Sequence, residues 1–369
     1  MTIQIDTTRA NFLKPIQAVS GIVESKVPMP ILANILIQKE GSRVTFITSD
    51  SSMQCKTESL IGLGEGNFST TVSAKKLTAI LSTLKDDDSV RLSDNDKQVL
   101  LSADHSRFEL QTLPPEEFPV MRNHEYIHAF SMPCSNFKYM LSMVSFAAAQ
   151  NSVRYFLNGV LLTAEDKLIK AVATDGHRLA YFEHEQEEVA QEKLEAILTK
   201  KTVKELLRLI PDSDELLSVD ISSNLIKFTF GSVEIISKLI DGKYPDYQKV
   251  IPETNDKIFE VNREEIKASL QQAAVLTSDS FKGVRWDLKP DLLCIASTNA
   301  EMEEVSVKLP VQYQGEPLEI GFNVSYLLDV LNVLKVEKVR FALGGPLSSG
   351  LITIPDSEKF KFVVMPMSI

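Results

Sequence analysis

The residue types most suggestive of chemistry lie in the string ATDGHRLA, at residues 173–180. Asp175 and His177 could serve there as a general acid–base pair. However, Asp-Gly at the end of an apolar run is also a strong β-hairpin signal, which would make His177 and Arg178 the start of the next strand. We favour the hairpin and keep an enzyme that uses Asp175 and His177 as the alternative.

Other signatures of catalysis or metal binding are missing from the sequence. It has no nucleophile in a Gly-x-Ser-x-Gly setting, no GxxxxGK[ST] phosphate loop and no HExxH motif. The five histidines are scattered, and Cys55, Cys134 and Cys294 lie far apart without a CxxC pair. We therefore expect no catalytic residue, no metal, no cofactor, and reduced core thiols in a cytoplasmic protein.

The end of the chain is unusually apolar. Residues 360–369 read FKFVVMPMSI, whereas chain termini are usually polar and frayed. This pattern predicts a final strand whose pairing ends at Pro366. Met365 and Met367 would then be free to line a surface, and methionine-rich surfaces adapt to several partners.

The elements that position these residues recur along the chain. One set of landmarks is separated by 126 and 121 residues (245−119 and 366−245): Pro119, Pro245 and Pro366. A second set ends apolar runs at intervals of 125 and 124 residues (175−50 and 299−175): Asp50, Asp175 and Asn299. A period near 125 is too long for a solenoid but suits a small domain. We predict three copies of one domain, at residues 1–125, 126–254 and 255–369.

Each copy has the same predicted order of elements. A helix opens it, as at residues 11–19, where Phe12, Ile16 and Val19 share a face. Alternating strands follow, and then a second helix such as 199–210, halted by Pro211. More strands complete the unit: 216–221, 225–230 and 233–239. The predicted fold class is α+β, with two helices per copy packed on antiparallel sheets.

Composition is that of a soluble globular protein, with 44% hydrophobic and 24% charged residues. No run approaches the ~20 apolar residues of a membrane span, and the start of the chain lacks a secretory signal. The net charge of −11 argues against a protein that coats nucleic acid. Yet basic residues concentrate on the predicted helices: Arg9, Lys14, Lys75, Lys76, Lys138, Lys200, Lys201, Lys204, Arg208, Arg263 and Lys267.

Six strings, in the right order, resemble those of the bacterial DNA polymerase III β subunits, the replication sliding clamps. They span residues 28–36, 153–159, 174–180, 237–247, 321–331 and 363–367. The resemblance implies a head-to-tail dimer that closes into a ring of six similar domains, with helices facing double-stranded DNA that is bound without regard to sequence. It implies a processivity factor for the replicative polymerase rather than an enzyme. A monomeric scaffold that never encircles DNA is the third possibility.

The resemblance also implies three sets of site residues. A cleft for short apolar peptide motifs of the polymerase, clamp loader and repair proteins would comprise Arg154, Leu157, Thr174, Gly176, His177, Arg178, Leu179, Pro245, Lys249, Val250, Phe281, Asn323, Tyr326, Leu347, Ser349, Val363, Val364, Met365, Pro366 and Met367. DNA would contact Lys26, Lys75, Asn151, Tyr155, Phe156, Lys200 and Lys201. The dimer interface would pair Lys76, Arg107, Phe108 and Leu110 with Val275, Leu276, Glu301, Glu303 and Glu304. Lys249 replaces an arginine frequent in the family, and Ser368-Ile369 replaces a basic-apolar ending. Both departures concern contacts at the rim of the cleft and leave its apolar floor unchanged.

Overall fold

The computed structural model describes residues 2–24, 26, 28–95, 98–121, 125–278 and 282–368, without the side chains of 187–192. Six helices occur in this part of the chain: α1 Arg9–Ser20, α2 Ala74–Ser82, α3 Cys134–Val144, α4 Lys200–Leu209, α5 Arg263–Ala274 and α6 Val324–Val333. None of the described helices is long and apolar enough to cross a membrane.

The described strands number twenty-two, and most are short. They are β1 Ile3–Thr8, β2 Asn34–Glu40, β3 Arg43–Ser49, β4 Met53–Ser59, β5 Asn67–Ser73, β6 Ser89–Asn95, β7 Gln98–Ala103, β8 Ser106–Leu113, β9 His128–Pro133, β10 Gly159–Thr174, β11 Arg178–Thr199, β12 Leu216–Ile221, β13 Leu225–Phe230, β14 Val233–Lys238, β15 Lys257–Asn262, β16 Gly283–Lys289, β17 Leu292–Thr298, β18 Glu304–Pro310, β19 Leu318–Asn323, β20 Lys338–Leu343, β21 Gly350–Ile354 and β22 Ser357–Val364. The predicted α+β class is therefore confirmed.

The chain forms two compact units, Met1–Phe137 with Lys204–Leu239, and Lys138–Val203 with Ile240–Ile369. The first unit holds a 12-stranded sheet in the order β1-β6-β7-β8-β5-β2-β3-β4-β14-β13-β12-β9. The second unit holds a six-stranded sheet, β10-β11-β22-β21-β20-β15, and a four-stranded sheet, β18-β17-β16-β19. Helix α1 packs against α2 in the first unit, and α5 packs against α6 in the second. The domain boundaries near residues 125 and 254 stay a prediction.

Equivalent hydrogen bonds record the internal repeat. The first residue of α1, α3 and α5 donates its amide N–H to the carbonyl oxygen of the residue just before a later strand of the same copy. The three bonds join Arg9 to Asp88, Cys134 to Glu215 and Arg263 to Glu337, each at 2.8 Å. The same backbone contact therefore fixes the start of the opening helix in all three copies.

The polar landmarks of the sequence have a local structural cause. Asp50, Asp175 and Asn299 each follow the last residue of a strand, at the ends of β3, β10 and β17. Asp50 Oδ1 accepts the amide of Met53 at 2.6 Å, and Asn299 Oδ1 accepts that of Glu303 at 2.9 Å. A short acceptor at this position satisfies backbone donors of the turn that follows. The predicted strand ends are confirmed.

Three of the basic residues on the helices cap the end of another helix. Three arginines donate to carbonyl oxygens near the C-terminal end of a neighbouring helix: Arg9 to Leu81, Arg208 to Ala18 and Arg263 to Leu331, at 2.7, 2.8 and 2.9 Å. Carbonyls at a helix C-terminus lack helical partners and favour a cation. These guanidinium groups are thus engaged within the protein, and α6 carries no basic residue at all.

Two of the three cysteines are core residues. Cys55 and Cys134 are buried, as predicted, whereas Cys294 on β17 is only half-buried. Burial raises the pKa of the Cys55 thiol to about 12, because the thiolate would lose its hydration.

Candidate functional site

The second unit contains an apolar cleft with a cavity of about 280 Å³. Its described lining residues are Arg154, Phe156, Leu157, Thr174, Gly176, His177, Arg178, Leu179, Pro245, Tyr247, Val250, Val363 and Met365. No carboxylate occurs among them. A cleft of this composition suits a ligand with apolar groups and either no charge or a negative one.

The floor of the cleft belongs to the core of the six-stranded sheet. Leu179 on β11 pairs with Val363 on β22, and both side chains are buried. They pack in one cluster with Leu157, Val172 and Tyr244. Since protein interiors are close-packed, such a floor keeps its shape without a ligand.

Tyr244 fixes the end of β10 from below the cleft. Its hydroxyl oxygen accepts the amide N–H of Thr174 at 3.1 Å. Burial raises the pKa of Tyr244, so this hydroxyl stays protonated at neutral pH.

The turn between β10 and β11 forms one rim of the cleft. Gly176 has φ +93°, a conformation that side chains disfavour, and Thr174 Oγ1 accepts its amide at 3.1 Å. Asp175 Oδ1 accepts the amides of His177 and Arg178 at 2.9 and 3.1 Å. The predicted hairpin is confirmed, except that β11 begins at Arg178 and leaves His177 in the turn. Asp175 is committed to the turn and does not form an acid–base pair with His177.

Arg178 connects this turn to two other segments of the second unit. Nε donates to Asp175 Oδ2 at 3.1 Å, Nη1 to Asp329 Oδ2 at 2.6 Å and Nη2 to the Phe146 carbonyl at 2.9 Å. The guanidinium carbon lies 4.4 Å from the centre of the Tyr326 ring. All three nitrogens are therefore used inside the protein, although Arg178 lines the cleft.

The C-terminal tail forms a second rim. Strand β22 ends at Val364, in agreement with the predicted effect of Pro366, but the backbone stays bonded on both sides of the proline. The amide of Met365 donates to the His177 carbonyl, and that of Met367 donates to the Gly321 carbonyl, each at 2.9 Å. Met365 lines the cleft, while Met367 is half-buried outside its lining.

The structure brings together eleven of the predicted cleft residues. They are Arg154, Leu157, Thr174, Gly176, His177, Arg178, Leu179, Pro245, Val250, Val363 and Met365. Tyr247 also lines the cleft but was missed, because a half-buried tyrosine in a 3-10 turn carries no sequence pattern of its own. Phe156, predicted to contact DNA, also lines the cleft, and its ring packs against that of Tyr155 in a T-shaped arrangement.

The other predicted cleft residues lie outside the cavity lining. Lys249 pairs with Asp246 at 2.9 Å, and Asn323 caps α6 by accepting the Ser325 amide at 3.0 Å. Tyr326 covers Arg178, and the Ser349 carbonyl accepts the Asn255 amide group at 2.9 Å. The remaining ones, also outside the lining, are Leu347, Val364, Pro366 and Met367. Phe281 lies outside the described residues.

The predicted DNA-contacting residues occur in both units. Lys26 and Lys75 are exposed in the first unit. In the second, the exposed Asn151 and Tyr155 share the segment 151–155, while Lys200 and Lys201 begin α4 and are half-buried. Burial and the nearby Arg178 lower the pKa of Lys200, whose Nζ donates to the Ala148 carbonyl at 3.4 Å.

The predicted interface residues differ in what they expose. Val275 is 77% exposed at the end of α5, Leu276 is half-buried, and Glu301, Glu303 and Glu304 are exposed. On the first unit, Phe108 is half-buried and Lys76 and Arg107 are exposed. Leu110, on the same strand as Phe108, is only 8% exposed within its own unit.

Comparison with known proteins extends over the whole chain. It matches the DNA polymerase III beta subunit family in three parts: the N-terminal domain at residues 1–122, the central domain at 131–246 and the C-terminal domain at 248–368. The beta sliding clamp of Pseudomonas aeruginosa is 36% identical over 361 residues, which are 98% of each chain.

Two solved structures are similar throughout. The sliding clamp of P. aeruginosa bound to griselimycin has a TM-score of 0.96 at 35% identity and covers 100% of both chains. The Caulobacter crescentus beta sliding clamp, with polyethylene glycol bound to its putative beta-motif tethering region, has a TM-score of 0.94 at 31% identity. That match covers 100% of this chain and 99% of the other.

Proposed function

Because the chain belongs to the DNA polymerase III beta subunit family, the beta sliding clamps, we propose that two copies close around duplex DNA and tether replication proteins to it. Clamps of this family are processivity factors and not enzymes, so the chain is a DNA sliding clamp without a catalytic site. DNA is then held by topology, and weak phosphate contacts allow sliding.

Two free strand edges support the head-to-tail dimer. In the first unit, β8 pairs with β7 along 106–111, but only its last residues, Thr112 and Leu113, pair with β5. In the second unit, β18 is the edge of the four-stranded sheet. Unpaired edges in the described part of the chain are templates for adding a strand from another copy. The apolar Phe108 and Val275 stand near these edges, and Arg107 faces the acidic Glu303 and Glu304 across the proposed contact.

Exposed cations support contact with DNA. Lys26 and Lys75 have ammonium groups in solvent, where they can meet phosphates without base recognition. Asn151 and Tyr155 lie on one exposed segment, in which an aromatic ring can stack on an unpaired base. We assign these residues, with Lys200 and Lys201, to the DNA-facing surface.

The apolar cleft is the observation that carries the tethering role. Its buried floor of Leu157, Leu179 and Val363, next to the exposed Met365, suits apolar anchors of an extended peptide. The partners are peptide motifs of the polymerase, the clamp loader and repair proteins. The similar P. aeruginosa clamp has been solved bound to griselimycin, and we propose that this chain binds the same compound in the cleft. Two or three buried anchors gain roughly 1.5–3 kcal/mol each, less the cost of ordering the peptide, which gives about micromolar affinity.

A topological experiment tests the whole proposal. The protein is loaded by a clamp loader onto a nicked circular plasmid and isolated by gel filtration, and the plasmid is then linearised. Retention on the circle and loss from the linear DNA are the expected results. Equal retention on both would overturn encirclement, and it would favour a monomeric scaffold if light scattering also gave the mass of one chain.

Two further assignments follow from the same function. The site of action is the bacterial cytoplasm, where chromosomal DNA is replicated. The domain boundaries lie near residues 125 and 254, supported by the family matches at 1–122, 131–246 and 248–368.

A further inference from the structure

Arg178 lines the cleft, yet its hydrogen-bonding nitrogens are used by partners within the protein. Its side chain is 10% exposed, and its three nitrogens donate to Asp175, Asp329 and the Phe146 carbonyl. The guanidinium of an arginine stays protonated in proteins, so each of these partners stabilises a permanent positive charge. We call Arg178 together with Asp175, Asp329, Phe146 and Tyr326 the arginine brace.

The brace joins three segments that are distant in sequence. Arg178 and Asp175 belong to the rim turn, Phe146 lies in the 3-10 turn Ser145–Ala147, and Asp329 and Tyr326 belong to α6. Hydrogen bonds from Thr174 and Asp175 hold the turn internally, but the space beside Gly176 is open, with no other atom within 4 Å of where a Cβ would lie. The carbonyl of His177, in the same turn, also holds the tail through the Met365 amide.

We propose that Asp329 is a positioning residue for peptide binding: it holds the Arg178 guanidinium, and through it the rim turn, in the shape that accepts a ligand. Asp329 does not line the cleft. Removing its charge leaves Nη1 of Arg178 without a carboxylate partner, so the guanidinium turns toward solvent and leaves the Tyr326 ring. The turn then samples several conformations, and only the fraction in the original one binds at full strength.

The inference rests on the proposed function of the cleft. The probe is griselimycin, titrated calorimetrically into the intact protein. Asp329→Asn keeps the size of the side chain and removes its charge, and we expect affinity to fall roughly 3–10-fold, a modest effect because Asp329 is 43% exposed. Asp329→Glu, which can still reach Arg178 with a carboxylate, should restore most of the loss. Glu319→Gln removes the same charge from an exposed position of β19 and should change nothing.

Two measurements separate positioning from a merely structural role. In an Arg178→Gln background, Asp329→Asn should cause no further loss, since its effect passes through Arg178. The difference between the unaltered protein and Asp329→Asn should also shrink as salt rises, because this pair is partly screened. An Asp329→Asn protein that binds normally, a loss that persists without Arg178, or an equal loss in Glu319→Gln would overturn the inference. If the unaltered protein does not bind griselimycin, the proposed cleft itself fails, and the inference fails with it.

Discussion

The amide of Met365 donates a hydrogen bond of 2.9 Å to the carbonyl oxygen of His177, joining the C-terminal tail to the rim turn of the cleft. The two residues come from the third and the middle predicted copy. Removing residues 365–369 breaks this bond and takes away the apolar side chain of Met365, which lines the cavity. We expect the deletion to abolish binding of polymerase-derived peptides and of griselimycin, measured by calorimetry.

The deletion should leave the rest of the molecule intact. The floor residues Leu179 and Val363 lie before the cut and pair within the sheet. Light scattering should therefore still report a dimer, and the melting temperature should change little. Removal of Ser368 and Ile369 alone is the matched control and should bind normally. Peptide affinity that survives loss of all five residues would place the cleft elsewhere.

A second prediction concerns the dimer interface. Val275 exposes 77% of its surface at the end of α5, next to the half-buried Leu276. Covering each such side chain stabilises the dimer by roughly 1.5–3 kcal/mol, whereas rim ion pairs give about 0–1 kcal/mol. Leu276→Asp and Val275→Asp should each yield folded monomers, as measured by light scattering at micromolar concentration.

The two substitutions control for each other. Leu276 is partly packed within its own unit, so aspartate there also lowers the free energy of unfolding, while Val275 is mostly in solvent. Circular dichroism should show a native spectrum for Val275→Asp in particular. Arg107→Ala should remain dimeric, because an exposed ion pair at the rim of the contact contributes only about 0–1 kcal/mol. A dimer that persists in both aspartate variants rules out this choice of interface.

A third prediction is the salt dependence of DNA binding. Each lysine that neutralises a phosphate contributes about 0.9 to the slope of log affinity against log salt concentration. Replacing Lys26 and Lys75 together by alanine should lower that slope by about 1.8 for a short duplex, measured by fluorescence anisotropy. Lys289→Ala serves as the control, since Lys289 pairs with Asp287 and is not among the predicted contacts. An unchanged slope, or strong discrimination between duplex sequences, would contradict this assignment.

Sequence patterns were sufficient to predict features that are determined by neighbouring residues. The helix predicted at 199–210 is α4, Lys200–Leu209, and the strands predicted at 216–221 and 225–230 have those bounds in the structure. The landmarks Asp50 and Asp175 could be found because each caps the turn directly behind it.

Sequence patterns were insufficient where partners are far apart along the chain. Nothing next to Arg178 in sequence indicates that its charge is met by Asp329 and the Phe146 carbonyl. The sequence therefore predicted that Arg178 lines the cleft. It did not predict that the hydrogen-bond donors of Arg178 are already used by other residues of the protein. Leu110 shows the same limit, because the sequence of an alternating strand does not indicate that this leucine is only 8% exposed within its own unit.

The last prediction uses the buried thiol of Cys55. Its pKa is about 12 in the folded protein, against an ordinary value of 9.0, because burial disfavours the thiolate. Below pH 9 the thiol is protonated in both states and has no effect on the pH dependence of stability. Between pH 9 and 12 only the unfolded chain loses this proton, so stability must fall as pH rises. At pH 10, one unit above the ordinary value, this loss amounts to about 1.4 kcal/mol.

Cys55→Ala removes this titration and leaves the other groups in place. The free energy of unfolding of the unaltered protein, minus that of Cys55→Ala, should therefore fall by about 1.4 kcal/mol between pH 8 and pH 10. Urea melts at the two pH values measure it, and the constant cost of the smaller side chain cancels because it is the same at both. Parallel loss of stability in the unaltered protein and Cys55→Ala would mean that the Cys55 thiol ionises as readily when folded as when unfolded, contrary to the burial of this β4 side chain against α1.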